Sequence, residues 1–177
     1  MYIIIGLFVA AFMLYFPYIW CSLLHEDEKD YGLKWFMTRE SKRDVIIALL
    51  VTLIPLTFIS LHWPYEWGGR GIKNPSFWQA VDNLGGGIAA AFIEETFFRG
   101  WLQTILVRKT GIYIGIFLAT LLFALSHLIV LTGWLRVATF FPGLVMAVLR
   151  LRGGSVMPSI IYHAVCNVWA VWFAPVP

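Results

Sequence analysis

Charged residues are scarce in this chain. Asp, Glu, Lys and Arg together make up 13% of its 177 residues, whereas hydrophobic residues make up 60%. A soluble domain is about 25% charged and about 45–50% apolar. The mean hydropathy of +0.78 points the same way. The sequence therefore predicts an all-α integral membrane protein, with residues 1–177 forming a single transmembrane domain.

Cysteine is also rare, and a basic stripe is lacking. Cys21 and Cys166 both lie in apolar runs, so we expect two free thiols rather than a disulfide framework. The formal net charge is +3, but the basic residues lie between apolar runs. This distribution is typical of the loops of membrane proteins, and it predicts a lipid bilayer rather than a nucleic acid as partner.

Six apolar runs predict a bundle of about six transmembrane helices. They cover residues 1–24, 45–61, 82–109, 112–131, 134–149 and 155–174. The first run has no basic n-region and no small-residue cleavage site, so it is predicted to be a retained span rather than a signal peptide. The third run is expected to be capped by Asp82 or Asn83. Pro55 and Pro142 are expected to kink the second and fifth runs.

Three further stretches carry structural expectations. Residues 25–44 mix aromatic and charged side chains, which fits either a membrane-surface segment or an ordinary cytoplasmic loop. Residues 62–79, rich in Trp, Gly and Pro, are expected to form an irregular loop over the outer mouth of the bundle. The small residues at 85–91 are expected to pack closely against neighbouring helices.

The orientation follows from the distribution of Lys and Arg. With six spans, the loops on one side hold nine of these residues and the loops on the other side hold three, while Arg99 lies inside a span. Basic loops stay in the cytoplasm. Both termini are therefore predicted to be non-cytoplasmic.

The third run contains two adjacent carboxylates and an arginine. Glu94, Glu95 and Arg99 lie between Leu84 and Val107, where Gln103 is the one other strongly polar residue. A charge at bilayer depth costs about 2.5–3.5 kcal/mol on insertion scales. Such residues need either partners or a task.

Candidate partners lie in the fourth and sixth runs. Measured from the cytoplasmic helix ends at about 1.5 Å per residue, Glu94 lies roughly 22 Å deep and His127 roughly 24 Å deep. On the same scale, His163 and Asn167 lie roughly 12 and 18 Å deep. All four depths fall inside a hydrocarbon core about 30 Å thick. The sequence therefore predicts one shared site at mid-membrane depth.

Helical spacing suggests how these residues divide their roles. Glu95 and Arg99 are four residues apart and are expected to form a supporting ion pair, which leaves Glu94 on another face of the helix. His163 and Asn167 share the same spacing, so they present two hydrogen-bonding groups on one face. Phe123, one turn before His127, is expected to wall the pocket.

These residues carry a resemblance to a known family. The motifs Glu94-Glu95-x-x-x-Arg99, Phe123-x-x-x-His127 and His163-x-x-x-Asn167 occur in the order found in the CAAX protease and bacteriocin-processing family. This family of glutamic-type intramembrane proteases includes the Ras-converting CAAX endopeptidases. The resemblance covers roughly residues 80–170, which would form the catalytic core.

The resemblance implies peptide-bond hydrolysis within the membrane, without a cofactor. Glu94 would be the general base that activates water, with His127 positioning or deprotonating that water. His163 and Asn167 would stabilise the oxyanion. The implied substrate is a membrane-anchored protein or peptide, cut near its C-terminal or membrane-embedded part, and the implied location is a bacterial or archaeal cytoplasmic membrane. The oligomeric state and any role of prenylation stay open.

Two other function classes remain as alternatives. Glu94 or Glu95 with His127 and His163 would also suit a zinc-dependent membrane protease, although H-E-x-x-H is absent. Intramembrane Glu and His also occur in proton relays, so a small transporter or a non-enzymatic peptide-binding or immunity protein is the third class. The chain has no internal repeat of the kind that many transporters contain.

Overall fold

The computed structural model describes residues 2–62, 72–130 and 134–173, and this part of the chain is all helical, without a strand. The main helices are α1 (Tyr2–Leu24), α2 (Arg39–His62), α3 (Phe77–Glu95), α4 (Gln103–Thr110), α5 (Ile112–Val130), α6 (Phe140–Gly153) and α7 (Met157–Phe173). A π-helical segment, Thr96–Leu102, joins α3 to α4. Short 3₁₀ helices cover Glu28–Tyr31 and Trp134–Thr139. Since α3, the π segment and α4 follow one another without a break, they count as one long helix, and the described residues contain six main helices. The predicted all-α class is confirmed.

Within the described residues, two helices are long and apolar enough to cross a membrane. These are Ile4–Leu24, with a mean hydropathy of 2.0, and Arg39–His62, with 2.4. Ile112–Leu128 is apolar but shorter. Both long helices expose most of their apolar side chains, as Phe8 at 74% and Val51 at 67% illustrate.

Several helix boundaries differ from the sequence expectation because local caps decide them. α2 begins at Arg39, six residues before the expected start, since Thr38 Oγ1 accepts a hydrogen bond from the Ser41 backbone N–H at 3.1 Å. α3 begins at Phe77 rather than at Asp82 or Asn83. There Ser76 and Gln79 form a reciprocal capping box that satisfies the first turn.

The fifth run also differs from its prediction. It divides into a 3₁₀ helix and α6, so Pro142 lies in the first turn of α6 rather than at a mid-helix kink. A first-turn proline leaves no helical hydrogen bond unmade, which explains why the helix accepts it there. Pro158 likewise occupies the first turn of its helix, α7. Pro55 lies inside α2.

The glycine stretch of α3 is not uniformly close-packed, and that prediction is wrong for two of its three glycines. A Cβ atom placed on Gly85 or on Gly86 would meet nothing within 4 Å. A Cβ atom on Gly87 would lie 3.0 Å from Cβ of Asn167. Only Gly87 therefore serves close approach between α3 and α7.

The buried core surrounds α7, which packs against α2, α3 and α6. One cluster of buried side chains lies among α2, α5, α6, α7 and the π segment: Val45, Phe98, Phe123, Met146, Leu149 and Tyr162. A second cluster ties α1 and the segment after it to the start of α7: Cys21, Tyr31, Leu33, Val156 and Ile160. Both cysteines are free thiols, as predicted.

The segment between α1 and α2 is anchored by Tyr31, which is 1% exposed. Its hydroxyl accepts hydrogen bonds from Trp20 Nε1 at 3.0 Å and from Arg108 Nη1 at 3.2 Å, and it donates one to Glu26. The bond from Tyr31 and then the Arg108 guanidinium hold the pKa of the Glu26 carboxyl below its ordinary value. Whether the neighbouring exposed side chains of Trp35 and Phe36 lie on a membrane surface stays a prediction.

The Trp-rich loop falls largely outside the described residues, which resume at residue 72. The described end of this loop turns back onto α7, because the Lys73 backbone N–H donates to the Trp172 carbonyl at 2.8 Å. The expected irregular loop is wrong for residues 77–79, which form the first turn of α3. That the rest of the stretch covers the outer mouth of the bundle stays a prediction, and residues 63–71 lie outside the described residues.

Gly32→Ala is expected to destabilise the protein more than Gly154→Ala. Both glycines have a left-handed backbone, with φ of +64° and +61°, so alanine would cost each site about 1–2 kcal/mol. A Cβ atom on Gly32 would also overlap the guanidinium of Arg150, which is 9% exposed, whereas Gly154 faces open space. Thermal unfolding of both variants in detergent measures the difference. Equal midpoints would mean that Arg150 moves aside freely.

Candidate active site

Glu94 lies near the end of α3 and faces two histidines from other helices. Its Oε2 atom is 4.0 Å from His127 Nε2 on α5 and 3.9 Å from His163 Nε2 on α7. The same oxygen is buried and makes no hydrogen bond within the described part of the chain. Three helices thus bring one carboxylate oxygen and two imidazole nitrogens around a common point.

Each histidine is oriented by a hydrogen bond through its other ring nitrogen. His127 Nδ1 lies 2.9 Å from the Phe123 carbonyl oxygen, and His163 Nδ1 lies 3.0 Å from Glu95 Oε1. A carbonyl and a carboxylate can only accept, so both Nδ1 atoms are the donors. In the neutral form of each ring, the Nε2 lone pair then points toward Glu94.

Glu95 and Arg99 form a completely buried pair at the start of the π segment. Arg99 Nε lies 3.5 Å from Glu95 Oε2, and both side chains are 0% exposed. Arg99 Nη2 also donates to the Gly143 carbonyl at 3.2 Å, and its Cζ lies 4.2 Å above the Phe123 ring. The pair therefore holds α3 against α6, while the second oxygen of Glu95 orients His163.

Asn167 lies one turn beyond His163 and reaches across to α3. Its Nδ2 donates to the Gly87 carbonyl at 2.9 Å. The two helices can come this close because Gly87 has no side chain. An amide nitrogen carries two hydrogens. The bond to Gly87 therefore orients Asn167 and leaves its second N–H available.

Phe123 packs against the two imidazoles of the site and the Arg99 guanidinium. Its ring centroid lies 4.6 Å from that of His127 and 5.8 Å from that of His163, beside the contact with Arg99. The side chain is 1% exposed. It fills the space behind the two imidazoles and keeps them apart from the buried guanidinium.

A cavity of about 900 Å³ leads to Glu94. Its inner end is lined by Glu94, His127, His163 and Asn167, and its other end by residues of the segment before α3, including Lys73 and Asn74. The walls between are α3 and α7. Among the cavities found in the described residues, this one gives a ligand access to Glu94.

Two features of the site were missed in the sequence. The π-helical form of Thr96–Leu102 carries no signature in residue type, although such segments are often found at functional sites. Gly143 was not singled out as a site residue, yet its carbonyl accepts a hydrogen bond from Arg99, and a Cβ atom on it would lie 2.9 Å from Thr120 Cγ2. A hydrogen bond between a side chain and the backbone carbonyl of another helix, such as that from Arg99 to Gly143, cannot be predicted from residue spacing along one helix.

The site does not have the donor geometry of a metal centre within the described residues. Within residues 2–62, 72–130 and 134–173, no three His, Cys, Asp or Glu side chains form a group that could hold a metal ion. The absence of a cofactor stays a prediction.

Comparison with known proteins identifies the family. A search of curated proteins found no match to the chain, and neither did a search of solved structures. A family model described as type II CAAX prenyl endopeptidase Rce1-like matches residues 76–169, which is more than half of the chain and contains all seven residues singled out above. Membership supports a protease function. The chain belongs to the Rce1-like family of type II CAAX prenyl endopeptidases.

Proposed function

We propose that this protein is a glutamic-type intramembrane endopeptidase in which Glu94 activates the attacking water. The observation that supports this most is the position of Glu94 Oε2, 3.9 and 4.0 Å from two imidazole nitrogens at the inner end of the cavity. Separations of this length are too long for direct hydrogen bonds but suit a bridging water molecule.

The nucleophile is a water molecule held between Glu94 and His127. Water donates one hydrogen to Glu94 Oε2 and the other to the lone pair of His127 Nε2, which the Phe123 carbonyl keeps in the right tautomer. Both acceptors point at the same position, so the lone pair of the water oxygen is left to face the substrate carbonyl. Such positioning is a large part of catalysis by a general base.

Hydrolysis then proceeds with Glu94 as a proton shuttle. The water oxygen forms a bond to the scissile carbonyl carbon while one of its protons passes to Glu94. The tetrahedral intermediate collapses when the C–N bond breaks, and the proton on Glu94 passes to the leaving nitrogen. The products are a free carboxylic acid and a free amine, with no other reactant consumed.

The negative charge on the carbonyl oxygen is stabilised from α7. Asn167 donates through the N–H that is not bonded to Gly87, and His163 donates through Nε2 when that atom is protonated. Glu95, fixed by Arg99, orients His163 for this task. Donors of this kind contribute about 3–4 kcal/mol each where they have been measured.

The protein is embedded in a bilayer as a bundle of six helices, with the site at mid-membrane depth. Family membership supports this, as do two helices long and apolar enough to span and the exposed apolar side chains of α1 and α2. The distribution of basic residues favours a cytoplasmic membrane with both termini outside. The substrate is a membrane-anchored protein or peptide, cut near its C-terminal or membrane-embedded part.

The test compares membrane peptides among three cell lines by mass spectrometry. The lines lack the protein, carry the wild type or carry Glu94→Gln at the same level. We expect at least one uncleaved precursor to accumulate in the first and third lines and its shortened product to appear only in the second. Identical peptide profiles in wild-type and Glu94→Gln cells would contradict a protease that acts through Glu94.

A further inference from the structure

The cavity that ends at Glu94 follows one face of α3 over most of the length of that helix. Its wall includes Gln79, Asn83, Gly86 and Ala90 in addition to Glu94. These positions are three or four residues apart, so they form a single line on the helix surface. The opposite wall is α7, on which His163 and Asn167 lie nearest to Glu94.

The length of this line defines what the cavity can hold. Gln79 and Glu94 are fifteen residues apart. At about 1.5 Å per residue the line is about 22 Å long. An extended peptide advances about 3.3–3.6 Å per residue. The cavity therefore matches about six residues of extended chain on one side of the scissile bond.

Its chemistry favours a peptide backbone over a hydrocarbon chain. The outer half is lined by the side-chain amides of Asn74, Gln79 and Asn83, each of which offers both donors and an acceptor. Gln79 uses its carbonyl oxygen in the capping box, which leaves its amide N–H groups available. A peptide backbone presents donors and acceptors in alternation, whereas a hydrocarbon chain would leave all these amides unpaired.

The glycines explain where the chain passes closest to α3. The space next to Gly87 is filled by Asn167. Gly86 also lines the cavity, and the space next to it is open. Gly85 also faces open space, but it does not line the cavity. The missing side chain of Gly86 thus widens the passage midway between the amides and Glu94.

We infer that this line along α3 is the binding site for an extended segment of about six substrate residues, which passes closest to α3 at Gly86. The inference rests on the proposed protease function and names its substrate class: a peptide whose segment on one side of the scissile bond is unfolded and enters the cavity as a strand. The amides of the outer half bind its backbone, and the inner end delivers the scissile carbonyl to Glu94.

The test uses a matched pair of glycine variants. Gly86→Leu fills the passage, whereas Gly85→Leu adds the same side chain one position away, outside the cavity, and both sites have room for a Cβ atom. Purified protein in liposomes is given a library of randomised peptides longer than the cavity, each supplied with and without a lipid modification, and products are identified by mass spectrometry. We expect kcat/KM to fall at least tenfold in Gly86→Leu, chiefly through KM, and to stay at the wild-type value in Gly85→Leu.

A second measurement needs only the wild type. Cleaved peptides are shortened one residue at a time on each side of the scissile bond. On one side we expect kcat/KM to fall once fewer than about six residues remain. Equal kcat/KM for Gly86→Leu and Gly85→Leu, or rates that do not depend on length, would overturn the inference. Cleavage restricted to lipid-modified peptides, again independent of length, would overturn it in favour of a hydrocarbon occupant.

Glu94→Gln protein in the same assay distinguishes a failure of the proposed protease function from a failure of the extended binding mode. If the wild type and Glu94→Gln cleave the same peptides, or if neither cleaves any, the proposed function itself is wrong. If the wild type cleaves and Glu94→Gln does not, but neither Gly86 nor peptide length affects the rate, then only the extended binding mode is wrong.

Discussion

Arg99→Met is expected to lower the free energy of unfolding by about 3–5 kcal/mol. Both Arg99 and Glu95 are 0% exposed, so removal of the guanidinium leaves a buried carboxylate with the His163 contact alone. Methionine keeps most of the side-chain volume, so the loss reports charge rather than a cavity. Denaturant titration in mixed micelles measures the change. A variant within about 1 kcal/mol of the wild type would mean that Glu95 is not ionised in the folded protein.

The double variant Glu95→Leu/Arg99→Met separates stability from catalysis. A buried ion pair replaced by apolar residues of similar size is often neutral or stabilising, so we expect the double variant to regain most of the lost unfolding free energy. It also removes the carboxylate that orients His163. Catalytic activity should therefore stay low although the fold is restored. Recovery of both properties would contradict a positioning role for Glu95.

The buried pair also shows how far the sequence alone can predict this site. Charged residues are so rare within the apolar runs that the few present had to be paired or functional. The spacing of four residues then placed Glu95 beside Arg99 and left Glu94 on another face. This reasoning works because both partners lie on one helix, whose geometry is fixed in advance.

Contacts between helices were less predictable. Arg99 donates to the carbonyl of Gly143, forty-four residues away, and no side chain marks a backbone acceptor. The start of α3 at Phe77 was missed because a capping box at Ser76 outweighs the acidic and amide residues that follow six and seven positions later. The glycines of α3 were assigned one packing role, whereas Gly86 faces the cavity and only Gly87 touches another helix.

The cavity changes what the glutamate motif means for function. Spacing and depth place Glu94 near the middle of the bundle, but they do not say from which direction a substrate arrives. The cavity reaches Glu94 along α3 from the segment that contains Lys73 and Asn74, at the end of the bundle away from the anchored segment around Tyr31. With the orientation predicted from the basic residues, that end faces away from the cytoplasm.

Glu94→Gln is expected to reduce kcat by about 10²–10⁴-fold and to leave the free energy of unfolding unchanged. The amide has nearly the same shape but cannot take a proton from water. Glu94 Oε2 makes no hydrogen bond within the described residues, so the substitution breaks no direct hydrogen bond of that oxygen. Single-turnover kinetics on a cleaved library peptide measure kcat, and thermal unfolding in detergent checks the fold.

Glu95→Gln provides the matched control for Glu94→Gln, because it makes the same chemical change one residue away. It weakens the ion pair with Arg99, so we expect its main effect on stability, with a smaller loss of activity through His163. If Glu94→Gln retained kcat within about threefold of the wild type while Glu95→Gln abolished it, the roles of the two carboxylates would be reversed. The base would then be the buried carboxylate, and Glu94 would serve to hold the histidines in place.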